Sequence, residues 1–225
     1  MSYNRIMIKL VIFDVDGVVL DSETLFLKAA AVNSKVNGYD LPDELLNSII
    51  GTGEERHHQI VGDYIGEGFD PKKYNDDLMS VWAEIKQNEP PKPKKGLHKL
   101  MDHLMANDIH IALATSTKKE RQLKDLKNAK VDHYFEFMVF GDDITRHKPD
   151  PEIYQIVVDH YGIPKDEILI IEDSINGILS AVNCGIKVIY IPDNVKVPEE
   201  IEKQAYCKLE DLSQVIDVIE DLKKE

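Results

Sequence analysis

The segment Lys9-Leu10-Val11-Ile12-Phe13 carries no charge after its lysine, and it stops abruptly at Asp14-Val15-Asp16-Gly17. A run of β-branched and aromatic residues suits a strand buried on both faces, the environment of a parallel sheet covered by helices. A buried strand has no use for acids at its C-terminal end. In open α/β sheets that end is where ligands bind. Two carboxylates one residue apart, in a turn loosened by Gly17, read as a site for a hard cation and a nucleophile.

Four more apolar runs follow the first (residues 8–13), at residues 109–114, 137–140, 168–171 and 188–191. Between them apolar residues recur at helical spacing, as in Leu97, Leu100, Met101 and Leu104, or Tyr154, Val157, Val158 and Tyr161. Alternating strands and helices predict an α/β fold with a doubly wound parallel sheet. Leu212, Val215, Ile216, Ile219 and Leu222 share one face of a closing amphipathic helix.

The gap between the first two runs is too long for one crossover. Residues 21–91 read as helices throughout. Asp21-Ser22 is placed to cap the first, and Leu25, Ala29, Val32 and Val36 give it an apolar stripe. Leu45, Ile49, Ile60, Ile65, Val81 and Ile85 supply further helical cores. The segment closes at Glu89-Pro90-Pro91-Lys92-Pro93, where prolines forbid a continuing helix and stiffen the chain. The sequence therefore predicts a core of residues 1–20 and 92–225 and a helical subdomain of residues 21–91 inserted after the first strand, with a hinge at each end.

Composition narrows the function. The formal charge of −14 over 225 residues argues against nucleic-acid or anionic-membrane binding. An anionic substrate must then be drawn in by local positive charge. No apolar run approaches the length of a membrane span, and residues 1–9 lack a signal-peptide pattern. Cys184 and Cys207, the only cysteines, have no metal spacing. A cytoplasmic protein is expected, and a monomer.

The other strand ends carry chemistry too. The second run ends in Ala114-Thr115-Ser116-Thr117, whose hydroxyls and free backbone N–H groups suit phosphate oxygens. After the third comes Arg146-His147-Lys148-Pro149-Asp150-Pro151, with a compact positive charge at Lys148. The fourth ends in Glu172-Asp173-Ser174. Singly, each has a plain structural reading: a turn, a strand end, a solvated lysine, acids at a helix N-terminus. Together they follow runs that should lie side by side. Phosphoryl transfer needs charge neutralisation and in-line positioning, and Mg²⁺ prefers oxygen ligands. Asp14 is the expected nucleophile, touching the metal and forming an aspartyl-phosphate. Asp16 would lend its backbone carbonyl to the metal and act as general acid and base through its side chain. Glu172 and Asp173 would complete the metal site. Thr115, Ser116 and Lys148 would bind the phosphoryl oxygens.

These segments resemble the haloacid dehalogenase superfamily of phosphohydrolases, and within it the beta-phosphoglucomutase and phosphoglycolate-phosphatase group. Phe13-Asp14-Val15-Asp16-Gly17-Val18 with Asp21-Ser22-Glu23 is similar to the first motif, and Ala114-Thr115-Ser116 to the second. Lys148-Pro149-Asp150-Pro151-Glu152-Ile153-Tyr154 is similar to the third. Ile171-Glu172-Asp173-Ser174, followed by Gly177, Ala181 and Gly185, is similar to the fourth. The resemblance implies a Rossmann-like core, an Mg²⁺ cofactor and a helical cap that closes over the substrate.

The cap sets the substrate, and here the chain departs from the mutase pattern. Mutase-like members place an arginine shortly after a cap glycine, where it grips a second phosphate. The corresponding stretch reads Gly51-Thr52-Gly53-Glu54-Glu55-Arg56, with Glu54 at that position and Arg56 two further on. A carboxylate there repels a second phosphate. Gly51, Thr52, Glu54 and Arg56 are the expected specificity residues, and a phosphatase acting on a small sugar or polyol monophosphate is the expected activity. A beta-phosphoglucomutase using the same aspartyl-phosphate is the alternative. A phospho-aspartate signalling domain and a metal-free dehalogenase fit less of the pattern. Adjacent His57 and His58 point in different directions on a helix and are expected at the surface or at the cap interface. His147, beside Lys148, is placed to line the site without a proton-transfer role, and Trp82 reads as packing.

Overall fold

The computed structural model describes residues 7–49, 54–194 and 197–224, the Glu54 side chain excepted. The chain divides into two compact units, Met1–Leu20 with Lys92–Glu225, and Asp21–Pro91.

The larger unit is built on a six-stranded parallel sheet. In chain order its strands are β1 (Leu10–Phe13), β4 (His110–Ala114), β5 (Phe137–Val139), β6 (Ile168–Glu172), β7 (Lys187–Tyr190) and β8 (Cys207–Lys208). The spatial order is β5-β4-β1-β6-β7-β8. Two further short strands, β2 (Leu20–Asp21) and β3 (Lys92–Pro93), form a separate ribbon at the points where the chain leaves this unit and re-enters it. All four residues of β1 are fully buried, as the uncharged run requires. Their side chains alternate between faces. Leu10 and Ile12 pack with Tyr154, Val157, Ile178 and Ala181 of α7 (Glu152–Tyr161) and α8 (Ile175–Cys184). Val11 and Phe13 pack with Leu97, Leu100, Met101 and Leu104 of α5 (Leu97–Ala106) and with Val215 and Ile219 of α10 (Val215–Leu222). With α6 (Lys119–Asn128) and α9 (Glu199–Glu202) completing the set, helices on both faces make the sheet doubly wound and Rossmann-like. Burying an aliphatic or aromatic side chain of this size contributes roughly 1.5–3 kcal/mol, so the sheet's centre is held strongly.

Register decides what meets at the C-terminal edge. Phe13 lies opposite Leu113 on one side and Ile171 on the other. Asp14, Ala114 and Glu172 therefore end their strands at one level, and the Asp14 N–H donates to the Ile171 carbonyl at 3.1 Å.

The smaller unit contains α1 (Glu23–Val36), α2 (Asp43–Ser48), α3 (Glu54–Ile65) and α4 (Pro71–Asn88). Its core gathers Leu25, Ala29, Leu46, Val61, Tyr74, Leu78 and Trp82. Asp70 caps α4, accepting from the backbone N–H groups of Lys72 and Lys73, and Pro71 sits at its first turn. Trp82 is packed edge-on against Phe26, as expected of a packing residue.

Three details differ from the sequence reading. Val32 and Val36 are 39% and 75% exposed, and the buried face of α1 is Leu25, Ala29, Ala30, Asn33 and Ser34. Asn33 and Ser34 turn inward because each finds a partner there: the Asn33 amide donates to the Tyr74 carbonyl at 3.5 Å, and Ser34 Oγ accepts from the Leu41 N–H at 2.7 Å. Ser22 precedes α1 but makes no capping hydrogen bond through its side chain. His57 is buried, not at the surface, with Nε2 3.0 Å from the Tyr74 hydroxyl.

Candidate active site

The turn after β1 is tight. The Val15 carbonyl accepts from the N–H groups of Val18, Val19 and Leu20, and the Gly17 N–H donates to the Leu20 carbonyl at 2.9 Å. Gly17 has φ of +84°, and a methyl group on it would lie 2.1 Å from Asp173 Oδ2. Only glycine meets both demands.

Lys148 stands at the centre of the strand edge. Its side chain is 6% exposed, and Nζ lies 2.6 Å from Asp14 Oδ1 and 2.6 Å from Glu172 Oε1. It also donates to the Ala114 carbonyl at 3.3 Å. Glu172 is fully buried and fully engaged. Its Oε1 accepts from Lys148 and from the Tyr154 hydroxyl at 2.9 Å. Its Oε2 accepts from the N–H groups of Asp173 and Ser174 and from the Ser174 hydroxyl. Ser174 Oγ in turn accepts from the Gly177 N–H, capping α8. A Cβ on Gly177 would meet the Glu172 carboxyl at 1.8 Å, so that helix position must be bare.

These contacts set the protonation. Burial pushes the Asp14 carboxyl up to about 7, with Lys148 pulling the other way and Glu172 adding to the rise. Burial alone would lower Lys148, but Asp14 and Glu172 beside it hold it well above the usual lysine range. Burial alone would raise Glu172, and Lys148 together with its hydrogen bonds holds it below the usual range. The lysine is a fixed cation, and Glu172 a fixed anion.

Asp16 is half-buried, and its Oδ2 accepts from the Thr117 hydroxyl at 2.9 Å. At the end of β4, the Thr115 N–H is spent on the Val139 carbonyl and the Thr117 N–H on Thr115 Oγ1. The backbone donors at this edge are thus partly committed, contrary to the expectation that they stand free. The Thr115 hydroxyl accepts from Thr117 and keeps its own proton to donate. Ser116 is exposed at the strand end, as is His147 in the lysine loop.

Asp14, Asp16, Thr115, Ser116, Lys148, Glu172 and Asp173 therefore all end at one sheet edge, and oxygen atoms of Asp14, Glu172 and Asp173 lie within 4.8 Å of one another. Gly51 and Thr52 lie outside the described residues, and so does the side chain of Glu54. Arg56 is exposed on α3 and donates to Gln59 Oε1 at 2.6 Å. His57 and His58 belong to no metal-capable cluster among the described residues. Three functional neighbours went unread in the sequence. Tyr154 looks like one more apolar helix position, Thr117 like one more hydroxyl for phosphate and not a partner of Asp16, and Gly177 like a motif glycine without a task.

The model of the haloacid dehalogenase-like hydrolases matches residues 11–191. The chain belongs to this family. It is 31% identical over 185 residues to the phosphorylated carbohydrates phosphatase of Thermotoga maritima, covering 80% of this chain and 83% of that protein. It is 27% identical over 195 residues to the phosphoglycolate phosphatase of Nitrosospira multiformis, covering 82% and 83%. Relatives matched over four-fifths of their length put the chain among the family's phosphatases. In fold it is similar to a solved Thermotoga maritima protein provisionally called a beta-phosphoglucomutase, with a TM-score of 0.81 and 24% identity over 95% of this chain and 99% of that one.

Proposed function

We propose that this family member is a magnesium-dependent phosphohydrolase that cleaves a small phosphorylated metabolite, a sugar or polyol monophosphate, through an aspartyl-phosphate. One observation carries the reading: buried Lys148 sits 2.6 Å from both Asp14 and Glu172, at the edge where Asp16, Thr115 and Asp173 also end. A fixed lysine beside a buried carboxylate suits a phosphoryl group, which needs its oxygens neutralised while a nucleophile approaches.

The oxygen-only donor set fits a hard divalent cation. Asp14, Asp173 and the backbone carbonyl of Asp16 would hold it. Glu172 belongs to the same cluster, but both its oxygens are already engaged, so its part is to hold Lys148 and the Asp173-Ser174 turn. When bound, the cation offsets charge on the phosphoryl oxygens and favours ionised Asp14.

The chain's own residues then divide the reaction. A carboxylate oxygen of Asp14 attacks phosphorus as the ester P–O bond breaks, and Asp16 gives its proton to the departing alkoxide. Lys148, the Thr115 hydroxyl and the Ser116 N–H donate to the phosphoryl oxygens. Water next attacks the phosphorus of the aspartyl-phosphate. Asp16 takes the water's proton, the bond to Asp14 breaks and inorganic phosphate leaves. Thr117, bonded to the Asp16 carboxylate, holds the acid/base in place.

The helical unit is the proposed cap, with Gly51, Thr52, Glu54 and Arg56 as its specificity residues. An acid at position 54 opposes a second phosphate and favours a monophosphate. The carbohydrate phosphatase name of the Thermotoga maritima relative supports the substrate class. Among the described residues no helix is long and apolar enough to cross a membrane, and the thiols of Cys184 and Cys207 are free. Both features fit the cytoplasmic location proposed here.

The test is phosphate release across a panel of phosphorylated sugars and polyols with Mg²⁺ present. Asp14→Asn should abolish turnover while the protein stays folded; wild-type turnover in that variant rules out the nucleophile. Glucose 6-phosphate formed from glucose 1-phosphate, without free phosphate, would replace the hydrolase with the isomerase.

A further inference from the structure

Past the end of β7 the chain runs Ile191-Pro192-Asp193, beside the end of β6. Tyr190 lies opposite Glu172, and the Ile191 N–H donates to the Glu172 carbonyl at 2.9 Å. This turns Asp193 toward the acids of the neighbouring strand. Its side chain is only 8% exposed. Oδ1 pairs with Lys94 Nζ at 2.5 Å. Oδ2 is buried and has no hydrogen-bond partner among the described residues. A methyl group on Gly17 would sit 3.1 Å from Asp193 Oδ2 and 2.1 Å from Asp173 Oδ2, so both acids face the same bare stretch of backbone. Carboxylate oxygens of Asp173 and Asp193 lie within 4.8 Å of each other.

Two buried carboxylates at that separation repel, and a buried acceptor without a donor is costly to fold. Lys94 answers only the first problem, and only from the far oxygen. A hydrated divalent cation answers both. Mg²⁺ keeps several of its waters, and each water is a donor for a neighbouring acceptor.

We propose that Asp193 is a further residue of the cation site, acting on the bound cation through one of its waters; the inference rests on the metal-dependent reading above. Lys94 pairs with the other oxygen of Asp193 and partly offsets its charge. Asp193 touches no reacting atom, so it is a positioning residue.

Calorimetric titration of metal-free protein with Mg²⁺, and Mn²⁺ binding followed by electron paramagnetic resonance, test this without substrate. Asp193→Asn should weaken both affinities about tenfold, the size typical when a partner of a metal's ligands is removed. Asp193→Asn should gain less in melting temperature than wild type on adding Mg²⁺, whatever its metal-free value. Lys94→Met keeps the carboxylate and should bind Mg²⁺ as tightly as wild type or more so; it carries the test if Asp193→Asn does not fold. Wild-type affinity in Asp193→Asn overturns the role of Asp193 and leaves the metal site standing. Equal weakening in Lys94→Met and Asp193→Asn also overturns it, because the ion pair would then be what matters. A wild-type protein without saturable Mg²⁺ binding overturns the metal-dependent reading itself, and this inference with it.

Discussion

The Tyr154 hydroxyl and Lys148 Nζ donate to the same oxygen of Glu172, at 2.9 and 2.6 Å, and the lysine nitrogen also lies 4.9 Å from the centre of the tyrosine ring. Tyr154 is therefore both a wall of α7 and a support for the buried ion pair. Tyr154→Phe keeps the wall and removes the support. Hydrogen bonds to charged groups contribute about 1.5–3 kcal/mol, and a thermal or urea melt should record a loss near the lower figure. Turnover of the preferred substrate should fall several-fold without loss of fold. An unchanged melting temperature would mean that Lys148 alone fixes Glu172.

Lys148 is the sharper test of the site's electrostatics. Lys148→Met leaves Asp14 and Glu172 buried together with no cation between them. Removing one partner of a buried pair costs about 3–5 kcal/mol, and phosphate release should disappear. Lys148→Arg should restore neither property fully, because a planar guanidinium cannot replace a compact ammonium wedged between two carboxylates. Full activity in the arginine variant would contradict this geometry.

Thr117→Val removes the hydroxyl that donates to Asp16 at 2.9 Å while keeping the side chain's shape. The acid/base loses a fixed orientation, so kcat should drop about tenfold, toward the lower end of what general acid–base catalysis contributes. KM should stay near wild type, and Thr117→Ser should recover most of the rate. A rise in KM with kcat intact would assign Thr117 to substrate binding instead.

The helical unit carries its own pH signature. Burial, with His58 nearby, pulls His57 down to about 4, and its ring meets the Tyr74 hydroxyl. An unfolded histidine titrates near 6.5. Between those values the unfolded chain binds more protons than the folded one, so stability is complete above pH 6.5 and is lost as the pH falls toward 4. The change should total roughly 2 kcal/mol after discounting for residual solvent screening. Urea melts from pH 7.5 to 4.5 should show this slope in wild type and a flatter one in His57→Gln. Parallel slopes would exclude His57 as the source.

What the sequence made legible was set by burial. Leu10–Phe13 and Ile168–Glu172 are covered on both faces, so their runs carry few competing signals. The meeting of Asp14, Lys148 and Glu172 followed from strand adjacency. What stayed hidden depended on partners far along the chain. Thr117 reaches Asp16 across 101 positions, and nothing local marks that bond. Asn33 and Ser34 displaced Val32 and Val36 from the buried face of α1 because a carbonyl and an N–H waited inside. The two-residue strand Cys207–Lys208 is too short to leave a periodic trace. The burial of His57 was hidden because its companion, Tyr74, belongs to another helix.

The centre of the large sheet also sets the order of assembly. Leu10 pairs with His110 on one side and with Ile168 on the other, so the first of this sheet's six strands to be made is the one that waits longest for neighbours. Helices 21–91 have local contacts to make while it waits. Until β6 emerges, this uncharged strand of the nascent chain has at least one bare edge, a hazard for aggregation that chaperones are suited to manage.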